Sequence, residues 1–179
     1  MNNVTKLLLG FMCHALLASA QAPSQQSANP LATVQMSVFS LVKTYLIRSA
    51  EEMPEANYNF KPAPEVRSFG QILAHVADSQ FVGCSGILGE ANPSFGVEKT
   101  KTSKADITQA LQASFAYCEK AFGGLTDANA AALVSYYGSK APKLSALSGT
   151  TTHNMEHYGN LVTYLRIKGL VPPSSEPRQ

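Results

Sequence analysis

Apolar residues in this chain recur at helical intervals, and no stretch alternates at period two for long enough to build a sheet. Ser68 opens one such stretch: Gln71, three residues later, completes the pattern of a capping box. Apolar residues then run to Leu88, and Gly89 supplies a stop. Ser103 caps the next stretch with Asp106 at the third position, and Ile107, Leu111, Phe115 and Cys118 share one face until Gly123-Gly124 ends it. An earlier helix begins near Leu31, its face marked by Val34, Val38, Leu41 and Tyr45 and widened by Val42, Leu46 and Ile47, and Pro54 closes it. A last helix starts near Lys143 and ends at Gly169, with Arg166 and Lys168 well placed against the dipole of its final turn and Pro172-Pro173 barring continuation. The stretch TDANAAALVSYYG leaves room for a short extra helix before Pro142. The expectation is an all-α four-helix bundle.

The connections bear on topology. Short links favour antiparallel neighbours. The segment Glu90 to Thr102, however, has 13 residues and reaches about 40 Å when extended, more than the ~31 Å length of a 21-residue helix. It is long enough to return along the bundle and start the third helix parallel to the second, giving an up-down-down-up order; a loose loop between antiparallel helices is the alternative. Cys84 lies 16 residues after the Ser68 cap and Cys118 lies 15 after the Ser103 cap. In the parallel arrangement the two sulfurs come to nearly equal height, within reach of a disulfide. In the antiparallel one they are offset by several turns, beyond that reach; two buried free thiols are the alternative to a bridge even in the parallel arrangement.

The N-terminal stretch reads as a signal peptide over residues 1–20. Lys6 provides the positive start, Leu7 to Leu17 the apolar run, and Ala18-Ser19-Ala20 the small residues of a cleavage site. The run is shorter than the roughly 20 residues that span a bilayer, so no stable membrane anchor is expected after cleavage. Cutting after Ala20 leaves Gln21 first and removes His14 and Cys13. Residues 21–30 are a polar flexible leader, 31–173 the bundle and 174–179 a tail. The expected location is periplasmic or secreted, where a disulfide can persist. With 45% hydrophobic residues, 15% charged residues and a net charge of +2, the chain has enough material for one core and no charge argument for nucleic acid or a membrane surface.

Cleavage leaves three histidines, His75, His153 and His157. His153 and His157 are four apart on one helix face, close enough for two imidazoles to meet one ion. Zinc proteases use the same spacing, but with a glutamate directly after the first histidine; here Asn154 holds that place and Glu156 precedes the second histidine. A third ligand must come from His75, which follows the Ile72, His75, Ser79, Val82 spacing on or beside the buried stripe. Three histidines and one open position describe a reactive site rather than a closed structural one. The competing reading is two exposed helix histidines and a partly buried third. Because imidazole must be neutral to ligate, metal affinity should fall below about pH 6.5.

A capped helix carrying His75, followed by HNMEH and then YGNLVTYLRIKGLVPP, resembles the DinB-like (DinB/YfiT) superfamily of four-helix-bundle metalloproteins over most of residues 31–173. The resemblance implies a divalent metal ion (zinc, nickel, iron or manganese) held by His75, His153 and His157, and an up-down-down-up bundle. It implies either a metal-dependent hydrolase or thiol S-transferase acting on a small molecule, or a metal-binding bundle without turnover. Some members use low-molecular-weight thiols such as mycothiol or bacillithiol, but an export signal does not suit a cytosolic cosubstrate. The expected partners are a small-molecule substrate and a second copy in a homodimer.

Other residues near the histidines have ordinary roles to weigh. Asp78, one turn beyond His75, either orients an imidazole or is a solvated helix residue. Tyr158, Asn160 and Tyr164 follow His157 on the last helix; the tyrosines read as core edge, and Met155 as packing. No CxxCH haem motif, serine–histidine–acid order or phosphate loop is present.

Overall fold

The computed structural model describes residues 28–94 and 96–177; the expected signal peptide and most of the expected leader lie outside them. Among the described residues are five helices, α1 (Pro30–Glu52), α2 (Phe69–Leu88), α3 (Val97–Thr100), α4 (Lys104–Gly123) and α5 (Lys143–Ile167), with a hairpin of β1 (Leu133–Tyr136) and β2 (Ser139–Pro142) between α4 and α5. Local chemistry sets the boundaries as expected. Ser68 and Gln71 form the reciprocal capping box, and Ser103 accepts from the backbone of Asp106.

α1, α2, α4 and α5 make the bundle, and cross-helix pairs fix their directions. From α2 to α4, Gly70 lies against Ile107, Gln80 donates to Ser114 at 2.8 Å, and Cys84 is disulfide-bonded to Cys118 with Cα atoms 5.4 Å apart. Numbers rise together on both helices, so they run parallel. From α2 to α5 they run opposite ways, Phe69 near Tyr164 and His75 near His157. α1 is parallel to α5, with Gln35 bonded to Thr151 and Tyr45 stacked on Tyr158. It is antiparallel to α4, with Phe39 against Phe122 and Lys104 bonded to the carbonyls of Glu51 and Met53. The order is up-down-down-up, and the returning linker is the long one.

That linker is not bare loop, because it contains the one-turn helix α3, docked on α2 through the buried Val97. Two other expectations need correction. The segment before Pro142 forms a 3-10 turn at Asp127–Asn129 and the hairpin instead of a short helix. Its strands have four residues each, too short to show as alternation, and pair because Tyr137 and Gly138 both take positive φ (45° and 79°), the backbone of a two-residue hairpin turn. The hairpin sits directly on α2: a Cβ at Gly86 would come within 2.7 Å of the Ser135 carbonyl oxygen, so glycine is what permits the contact.

The buried face of α1 is only partly the expected one. Val42 and Leu46 enter the core as expected, with Tyr45 and Ile47 packed against it, but Phe39 and Ala50 join them, whereas Leu31, Val34, Val38 and Leu41 are exposed, Val34 by 63%. Apolar residues lie almost all round the first turns of α1, so spacing alone selects no face; the largest ring, Phe39, goes inward to stack on Phe122 and tilt against Phe115.

Candidate metal centre

α2 and α5 bring the three histidines together, although His75 and His153 are 78 residues apart in sequence. The Nε2 atom of His153 lies 3.3 Å from Nε2 of His75 and 3.1 Å from Nε2 of His157. All three rings therefore aim the same nitrogen at one point. His157 is buried, while His75 and His153 are half-buried at the edge of the bundle.

These distances can be compared with what an ion requires. With metal–nitrogen bonds of about 2.0–2.1 Å and tetrahedral angles, neighbouring ligand nitrogens stand about 3.3–3.4 Å apart. The observed separations are close to that edge. The electrostatics agree with the geometry. Burial, reinforced by His153 and His75, pushes His157 down to about 4, and burial followed by His75 pushes His153 down as well. Both shifts favour the neutral imidazole, with a lone pair available to an ion. The residues present fit a divalent ion.

The surroundings sort the other candidates. The hydroxyl of Ser79, one turn after His75, is 3.4 Å from His75 Nε2. Asp78 does not face an imidazole, nor is it merely solvated. It accepts from Ser94 and from the backbone N–H groups of Val97 and Glu98, and so caps α3. The carboxylate beside His75 is Glu98, whose Oε2 is 3.2 Å from Nδ1 and whose Oε1 accepts from Arg67 Nε at 2.8 Å. Nothing in the local sequence marks Glu98, since its role depends on α3 folding back onto α2. Tyr158 and Tyr164 are core-edge residues, accepting from Ser174 and donating to the Arg67 carbonyl respectively. Met155 is 36% exposed and is not core packing. A cleft of about 700 Å³ opens beside His157, with Lys61, Arg67, Glu98, Glu156 and Asn160 on its walls.

A four-helix up-down-down-up bundle with a convergent histidine triad defines a class of small helical proteins with a candidate cation site. Within that class the assignment is direct. The chain belongs to the DinB superfamily, whose family model matches residues 39–161. Three solved structures share the fold. A DinB-like protein from Bacillus cereus ATCC 10987 is 17% identical with a TM-score of 0.67, over 78% of this chain and 93% of that one. A DinB-like protein from Bacillus subtilis is 22% identical with a TM-score of 0.64, over 82% and 99%. A conserved protein from Enterococcus faecalis is 13% identical with a TM-score of 0.63, over 76% and 95%. No curated protein matches the sequence.

Proposed function

We propose that this chain is an exported metalloprotein holding one divalent ion at Nε2 of His75, His153 and His157, and acting on a small molecule by hydrolysis or thiol S-transfer. The observation that carries the reading is the spacing of 3.1 and 3.3 Å between inward-facing Nε2 atoms, matching the ligand edge of a metal. An all-imidazole set suits zinc, nickel or iron better than manganese. When bound, the ion supplies a Lewis acid able to lower the pKa of a coordinated water or thiol.

The chain's own residues support that chemistry in three ways. Burial of His157 and His153 keeps their lone pairs free of protons. The cleft beside His157 is of a size that takes a small molecule. Its walls carry Lys61, Glu156 and Asn160, which can orient a polar substrate. The Cys84–Cys118 bond suits an oxidising compartment, in keeping with the signal-like residues 1–20.

Metal analysis of purified protein should give one ion per chain. His153→Ala or His157→Ala should remove most of it, and His75→Ala should weaken binding strongly. At an ion concentration 100-fold above the dissociation constant, the wild type should gain about 2.7 kcal/mol of stability and the triple variant none. Equal metal content in wild type and triple variant would refute the site. Export is checked separately, by N-terminal sequencing from a secreting host, which should begin at Gln21.

A further inference from the structure

We propose that Glu98 is the positioning residue of the metal centre, an inference that rests on the metal-binding reading above. Its carboxylate accepts the Nδ1 proton of His75 and thereby fixes the tautomer and ring orientation that present Nε2 to the ion. The contact is 3.2 Å. Because Nδ1 and Nε2 are on opposite edges of the imidazole, a carboxylate seated at Nδ1 lies behind the ring and is not itself a ligand. Such a partner also makes the ligating nitrogen more electron-rich, since its charge stabilises the positive charge that the ring gains on coordination.

What distinguishes Glu98 from a chance surface carboxylate is how it is held. Its second oxygen is occupied by Arg67 Nε at 2.8 Å, on the segment leading into α2. Its backbone is fixed by Asp78, whose Oδ2 accepts from the Glu98 N–H at 2.9 Å and whose Oδ1 accepts from the Val97 N–H at 2.7 Å and from the Ser94 hydroxyl at 2.6 Å. Asp78 and His75 are one turn apart on α2. The same helix therefore carries both the ligand and the clamp that brings the carboxylate to it. The preceding residue, Val97, is 8% exposed and anchors the turn in the core. The chain enters this single turn at Gly96, with φ 85°. The crossover linker between α2 and α4 thus contributes a working part of the site besides spanning the bundle.

The alternative is that Glu98 only pins the linker to α2. Zinc dissociation constants from chelator competition, together with the visible absorption of the cobalt-substituted protein, separate the two. Glu98→Ala should bind zinc about 10–100-fold more weakly and alter the cobalt spectrum. Glu98→Gln keeps an acceptor but loses the charge, and should recover part of that loss. An affinity within twofold of wild type in Glu98→Ala, with an unchanged cobalt spectrum, would overturn the proposal even if its Tm fell. Should Glu98→Ala fail to fold, Glu98→Gln carries the test. At least a threefold loss is expected there, and wild-type affinity with a wild-type spectrum refutes the proposal. Failure of the wild type to bind zinc or cobalt at all would refute instead the metal reading beneath it.

Discussion

α2 uses its two sides differently. Towards α4 it presents a mostly apolar seam, where Leu111, Phe115 and Cys118 are fully buried and Cys84 is bonded across; its polar pair, Gln80 with Ser114, leaves Gln80 Oε1 without a partner among the described residues. Towards α5 it meets Thr150 and His157, both buried and polar, with Nδ1 of His157 lacking a hydrogen-bond partner among the described residues. Unpaired buried polar atoms are costly. One seam is mainly apolar and crosslinked, while the other gives up apolar contact to gather imidazoles.

Substitutions can break that division. The largest effect should come from the apolar seam: Phe115→Ala removes a fully buried ring and should cost about 3–5 kcal/mol in denaturant unfolding, with the zinc dissociation constant unchanged. A matching loss of zinc affinity would show that the seams are not separable. Next comes the crosslink. Replacing Cys84 and Cys118 together by alanine should lower stability by about 2–4 kcal/mol, again without altering zinc binding.

The smallest effect belongs to the polar seam and sharpens the contrast through pH. In the metal-free protein His157 is held at about 4 and His153 is pushed down, whereas imidazoles of the unfolded chain titrate near 6.5. Below 6.5 the unfolded chain binds more protons, so stability is full above that value and is lost as pH falls towards 4. Urea unfolding at pH 7 and pH 4.5 should differ by on the order of 1–2 kcal/mol from these imidazoles. The difference should disappear in the His153→Ala/His157→Ala variant and persist in Phe115→Ala. The same depressed values move the acid loss of metal below the pH 6.5 expected for free histidines.

How much of this was legible in sequence follows from whether the cause is local. The α4 face, Ile107, Leu111, Phe115 and Cys118, reads cleanly because its apolar stripe is bounded by polar residues, and all four are buried. Equal offsets from two serine caps gave the Cys84–Cys118 juxtaposition once the helices were taken as parallel. The three histidines were identified as a group, and the structure gathers them. In α1 the spacing places Val42 and Leu46 correctly but not Val34, Val38 and Leu41, because the helix is apolar on several sides and only the partner helices decide which side is inner. The hairpin was missed because four-residue strands leave too short a pattern. Asp78, for which the sequence leaves an orienting or a solvated role open, caps α3 instead, and the carboxylate beside His75 is Glu98, 23 residues away, through a fold-back that no periodicity records.

The crossover also bears on the order of assembly. His75 and His153 are 78 residues apart, so the triad closes only when the last helix has docked. The Cys84–Cys118 bond short-circuits 34 of those residues, lowering the entropy of that final closure by roughly 0.5 kcal/mol. A chain oxidised before α5 arrives thus searches a smaller space for it. Because His75 lies on α2 and His153 and His157 on α5, metal capture at the proposed site would report that these two helices have docked.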